Sequence, residues 1–240
     1  MKEIAPTAHD LTIRYTLYWL LVQWIPVPFA DYIAGNVVRR QMVTKLAKIY
    51  DAPLMPSEVK ILADEKMGCL YGCLVNVLFF PIKLFLGKIL LLIRFRAFIN
   101  MAGRSYHAAR LIDYAIRAQR LEPAGPYTAQ QVRMAVDHVC NTADIDSVRA
   151  AFRQVFSRKT GILKDAAILF WRALLSVRGR RDESQVERAV DEAKGQAADS
   201  VGGIMAPLRT ALEAIPPEHF KQLEEAMDSE LHRLNVLNLG

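Results

Sequence analysis

Residues 10–28 read DLTIRYTLYWLLVQWIPVP, an aromatic and aliphatic run that stops at two prolines. Leu17, Tyr18, Trp19, Leu20, Leu21, Val22, Trp24 and Ile25 leave no polar stripe, so the helix they form is apolar nearly all round. Sixteen or so residues from Asp10 to Ile25 fall short of the about 20 that cross a bilayer. Tyr15, Tyr18, Trp19 and Trp24 are residue types that favour a membrane–water boundary. Two environments therefore fit the run: a membrane boundary, or the buried centre of a helical bundle with aromatic packing. Pro26 and Pro28 end it, because each lacks an N–H and restricts the residue before it.

A basic helix follows this corner. Asp31 falls where a carboxylate meets the free N–H groups of a new helix, which gives it a capping role. From Tyr32 to Tyr50 the residues Ile33, Val37, Leu46, Ile49 and Tyr50 are expected to form the apolar face. Arg39, Arg40, Lys45 and Lys48 are expected on the opposite side, facing lipid phosphates, an acidic partner or simply solvent.

The stretch IPVPFADYIAGNVVRRQMVTKLAKIYD resembles a bacterial family of uncharacterised helical membrane-associated proteins, often encoded with or fused to Era-like GTPase domains. Pro26, Pro28, Asp31, Gln41, Met42, Leu46, Ala47 and Tyr50 stand in matching places. The family usually has Gly after the aromatic residue, where this chain has Asp51 and Ala52. The resemblance covers residues 10–100 and implies a membrane-linked protein with a GTPase as partner. It supplies no catalytic residues. The chain itself has no Gly-x-x-x-x-Gly-Lys-Ser/Thr phosphate loop.

The most hydrophobic segment is MGCLYGCLVNVLFFPIKLFLGKILLLI, residues 67–93. Its strongly apolar residues favour insertion by roughly 5–9 kcal/mol, while Lys83 and Lys88 each cost about 2.5–3.5 and Asn76 and Pro81 add to that. The balance is near zero, so a single crossing is not favoured. A shallow hairpin folded at Pro81 with its lysines snorkelling fits, and so does the central helix of a soluble bundle. Arg94 and Arg96 follow the run and Lys60 and Lys66 precede it, which suits a segment with both ends on one side. Residues 1–120 hold sixteen Lys and Arg against eight Asp and Glu, and the remainder fifteen against seventeen, so the positive excess accompanies the apolar runs. Nucleic-acid binding is not expected of such a pairing.

Two prolines and a glycine in EPAGPYT, residues 122–128, mark a boundary. Beyond it Thr128 with Gln131 forms a capping box, and so does Ser184 with Glu187. Asp144 or Asp146 opens a further helix. Val186, Val190, Ala193, Ala197, Val201 and Ile204 step by three and four, a stripe expected to pack within the chain. Phe220, Leu223, Met227, Leu231 and Leu234 mark a last helix after Pro216 and Pro217. Ser57 is expected to cap the helix that follows residue 56.

Catalytic and metal constellations are missing from the pattern. The five histidines are scattered singly, and the three cysteines are too few for a disulfide framework. Asp137, His138 and Cys140 are the only residues that suggest nucleophilic chemistry, and neighbours on a helix point in different directions. The sequence thus predicts an all-α chain with a hydrophobic N-terminal unit over 1–122 and a helical bundle over 128–240. The expected function is that of a non-enzymatic membrane-associated adaptor or scaffold on the cytoplasmic side of a bacterial inner membrane. Its expected contacts are anionic lipid through Trp19, Trp24, Arg39, Arg40, Lys45, Lys48, Lys83, Lys88, Arg94 and Arg96, and a protein such as a GTPase. No cofactor or metal is expected. The competing reading is a soluble bundle that binds a lipid or another hydrophobic ligand.

Overall fold

The computed structural model describes residues 6–23, 30–64, 87–175 and 183–238. Ten helices and no strand occur among them, so the fold is all-α. They are α1 (Pro6–Gln23), α2 (Ala30–Ile49), α3 (Pro56–Ala63), α4 (Gly87–Arg117) and α5 (Ala129–Thr142), then α6 (Asp146–Arg158), α7 (Thr160–Leu175), α8 (Glu183–Gln196), α9 (Ala198–Glu213) and α10 (Pro217–Asn238).

α1 is the central helix. It packs against α2, α4, α7 and α9, and of residues 8–23 Arg14 alone is exposed. Ile13, Leu17, Leu20, Leu21 and Val22 are fully enclosed. This explains the lack of a polar stripe: a helix covered from four directions has no wet face to keep polar. Full burial of each such side chain favours folding by about 1.5–3 kcal/mol before chain entropy is charged against it. Tyr18 meets Phe170 of α7 with ring centroids 5.6 Å apart.

The buried side of α2 differs from the expected one. Val37 and Leu46 are buried as the periodicity predicts, but Ile33 and Ile49 are each 36% exposed, and the face is completed by Ala34, Val38, Met42 and Val43. The helix is turned so that Gly35 meets α1. A Cβ at Gly35 would lie 3.2 Å from both Gln23 Nε2 and Trp19 Nε1, a tight fit that a larger residue meets only if those side chains shift by a few tenths of an ångström. α2 ends on Asp51, whose φ of 53° is the left-handed conformation usual just past a helix. The Ala52 N–H donates to the Ala47 carbonyl at 2.9 Å and completes that cap. Aspartate tolerates this conformation better than most residues.

The cap of α3 is corrected. Pro56, not Ser57, opens the helix, and Met55 donates its backbone N–H to Glu58 Oε2 at 2.7 Å. Proline suits the first helical turn, where its missing N–H is no loss. Thr128 and Gln131 form the expected box on α5: the Gln131 N–H donates to Thr128 Oγ1 at 3.3 Å, and the Thr128 N–H to Gln131 Oε1 at 2.9 Å. Asp144 Oδ1 accepts from the Asp146 N–H at 2.8 Å at the start of α6. Ser184 lies inside α8, which begins at Glu183.

EPAGPYT is a tight turn. α4 closes with Gln119 at a φ of 53° and the Arg120 N–H on the Ala115 carbonyl at 2.8 Å. The Gly125 N–H then returns to the Leu121 carbonyl at 2.7 Å, and a Cβ on Gly125 would fall 2.1 Å from the Gln119 carbonyl oxygen. The halves that meet at this turn share one hydrophobic core. α1 packs on α7 and α9, α2 on α8, and α4 on α5 and α6. Tyr106 of α4 meets Phe152 of α6 at 6.1 Å and Phe220 of α10 at 6.2 Å. The stripe from Val186 to Ile204 is buried throughout, although the chain bends at Ala197 between two helices. It packs within the chain as expected, on α7 and α2 from the α8 side and on α6, α7 and α1 from α9.

Phe152 is the joint between α4 and α6, fully buried against Tyr106 and Phe156. Phe152→Ala is expected to lower stability by about 3–5 kcal/mol, and Ile33→Ala, at a partly exposed site, by less than about 1. Urea midpoints of the two variants check this, and equal losses would contradict the packing described.

Candidate functional site

The residues expected to face lipid are placed differently from one another. Trp19 is 5% exposed, and the Arg39 guanidinium lies 4.8 Å from its ring centroid. Arg40 grips Asp64 at the end of α3, donating Nε–H to Oδ1 at 2.6 Å and Nη2–H to Oδ2 at 2.5 Å. That bidentate pair holds α3 on α2. Lys45 is exposed and shares the Tyr15 ring with Lys194, each ammonium 5.4 Å from the centroid. Lys194 also pairs with Asp191 at 2.6 Å and donates to Gln41. Lys48 and Arg96 are exposed. Asp31 lies in the first turn of α2, and Lys88 and Arg94 lie on α4; the side chains of all three fall outside the described residues, as do Trp24, Pro26, Pro28 and Lys83 entirely. No helix among the described residues is long and apolar enough to cross a membrane.

What the fold does bring together is a cavity of about 320 Å³ between α1, α2, α4 and α5. Its apolar wall is formed by Trp19, Met42, Met101, Ala108 and Ile112, and its polar part by Arg39, Arg104, Arg133, Asp137 and Asn141. Arg133 is buried and held by three polar contacts. It donates to Asp137 at 2.7 and 3.1 Å, and its Nη1–H reaches the Leu62 carbonyl at 3.0 Å. The last of these bonds satisfies one of the carbonyls that the end of α3 leaves without a helical partner. Arg104 is exposed. Thr16 and Trp19 also line the cavity, and the Thr16 hydroxyl and the Trp19 indole N–H are buried without a hydrogen-bond partner among the described residues.

Asp137, His138 and Cys140 form no catalytic set. Asp137 is held by Arg133, and His138 is exposed. Burial, reinforced by the Asp137 carboxylate, pushes the Cys140 thiol up to about 12, far from a thiolate at neutral pH. No group of three or more potential metal ligands occurs among the described residues.

Two further polar contacts join distant parts of the chain. His9 Nε2 and the Tyr106 hydroxyl are 2.9 Å apart, and His107 Nε2 and His219 Nε2 are 3.1 Å apart. In the second contact one ring donates and the other, which must be neutral, accepts, because two imidazolium ions cannot hydrogen-bond to each other. Burial, with His219 adding to it and Asp144 opposing, brings His107 down to about 4.

The cavity was not legible in the sequence, because its walls come from four helices between residues 15 and 141. Arg104 and Arg133 read only as charges on helix faces. Gly35 was the one local sign of a close helix approach. Comparison with known proteins finds no family model that matches the chain, no similar curated protein and no similar solved structure.

His107 sets an acid limit on the fold. Above about pH 6.5 it is neutral folded and unfolded alike; below that the unfolded chain takes a proton that the folded chain refuses until about 4. The unfolded state then binds more protons, so stability falls as pH drops through this window, by about 3 kcal/mol in all. Urea midpoints between pH 7 and pH 4 are expected to fall more steeply for the natural chain than for His107→Leu. Parallel profiles would contradict the burial of a neutral imidazole.

Proposed function

We propose that the chain is a non-enzymatic helical binding module that holds a lipid or a similar amphipathic molecule in the cavity between α1, α2, α4 and α5. The cavity carries this reading. Small-molecule sites are mostly apolar recesses of roughly 300–1,000 Å³ with a few convergent polar groups, and this one offers about 320 Å³ with an apolar wall and a cationic edge. Methionines such as Met42 and Met101 suit a site that must adapt to a flexible chain.

A membrane is the natural source of such a molecule. The composition of residues 67–93 supports contact with a bilayer, and Lys45, Lys48 and Arg96 supply exposed positive charge toward anionic lipid. Arg39 and Arg40 do less for such a surface, since one is stacked on Trp19 and the other is paired with Asp64. The module would work at the cytoplasmic face of a bacterial inner membrane, and the resemblance of residues 26–50 supplies a GTPase as the class of protein it would serve.

The test uses a neutral probe. N-phenylnaphthylamine, which fluoresces in apolar surroundings, is expected to bind the purified chain saturably. Ala108→Phe, which fills the cavity from α4, is expected to abolish that binding and keep the helical circular dichroism. Equal binding to both chains would overturn the reading.

A further inference from the structure

We infer that the α1 wall of this cavity is a hydrogen-bonding subsite for the carbonyl oxygen of a neutral ketone, ester or amide, with the Thr16 hydroxyl and the Trp19 indole N–H as its donors. The inference rests on the cavity being a ligand site, as proposed above, and adds the polar group that the bound molecule carries. Thr16 and Trp19 stand three residues apart on α1, a spacing that puts both on one side of the helix, and both line the cavity. They are 2% and 5% exposed, and neither the Thr16 hydroxyl nor the Trp19 N–H has a hydrogen-bond partner among the described residues.

A threonine inside a helix usually turns its hydroxyl back on a carbonyl of the preceding turn. Thr12, one turn earlier on α1, donates to the His9 carbonyl at 2.7 Å, and Thr210 of α9 to the Ala206 carbonyl at 3.2 Å. Thr16 makes no such bond. Buried polar groups are nearly always hydrogen-bonded in folded proteins, so two buried donors without partners on one cavity wall mark where a ligand acceptor fits. The indole nitrogen can only donate, which excludes an ammonium as its partner. A carbonyl oxygen offers two lone pairs and brings no proton that needs an acceptor of its own. The apolar chain of such a molecule would lie along Met42, Met101, Ala108 and Ile112.

Displacement of N-phenylnaphthylamine by 2-octanone, and by 2-methyl-1-octene with a methylene group in place of the carbonyl oxygen, tests this. Thr16→Val is expected to weaken 2-octanone by about tenfold and to hold the affinity for 2-methyl-1-octene within about twofold. Thr16→Ser, which keeps the hydroxyl, should keep the affinity of the natural chain for the ketone. Without ligand, Thr16→Val should unfold at the same urea concentration as the natural chain or a higher one, because it removes a buried group that has no partner. A lower midpoint would show that the hydroxyl is satisfied in the free chain, and would overturn the subsite. Equal losses of both compounds, or no loss of either, would also overturn it and leave the cavity reading standing. Failure of N-phenylnaphthylamine to bind, with no heat of binding for 2-octanone, would overturn the subsite and the proposed function together.

Discussion

The Trp19 indole rests against Gly35 on one side and carries the Arg39 guanidinium on its face. Much else in the fold is built around that contact. Without a side chain at Gly35, α1 and α2 approach closely enough for Ala34, Val38 and Met42 to close over the central helix. Once α1 is covered there, its remaining surface can meet only α4, α7 and α9. Arg39 closes the arrangement at low cost, because a guanidinium on an aromatic face keeps part of its plane available to polar partners.

Polar groups fix the order in which the outer helices lie on this centre. Arg40 and Arg133 both reach the end of α3, one through Asp64 and the other through the Leu62 carbonyl. α3 has only eight residues, and these polar contacts add to the burial of its Val59, Leu62 and Ala63. The Tyr50 hydroxyl donates to the buried Asp113 at 2.9 Å and ties the end of α2 to α4. Such bonds add little net stability but penalise alternative packings, in which the same groups would be buried without partners.

Helical periodicity made the all-α fold legible, and the capping box at Thr128 and the buried stripe from Val186 to Ile204 were readable residue by residue. The environment of α1 was not. Tyr15, Tyr18 and Trp19 have the same composition whether they meet lipid headgroups or other helices, and only the neighbours decide. The turn at residues 122–128 is legible only as a turn, for a related reason. Proline and glycine report a change of chain direction, and they carry no information on whether the helices either side share a core. The rotation of α2 places Gly35 against α1, a position that hydrophobic periodicity ignores. The candidate site was the least legible part, since Thr16, Arg39, Arg104 and Arg133 are far apart in sequence and are brought to one cavity only by the packing of four helices.

The central claim is that Trp19 is a packing residue at the middle of the fold and not an anchor at a membrane boundary. Replacing Trp24 and Trp171 by Phe leaves Trp19 as the only tryptophan of the three in the chain, and its quenching by acrylamide measures the claim directly. The account expects blue-shifted emission and weak quenching in buffer, both unchanged when vesicles containing phosphatidylglycerol are added. Water-exposed emission with ready quenching in buffer, lost only when vesicles are present, would contradict it.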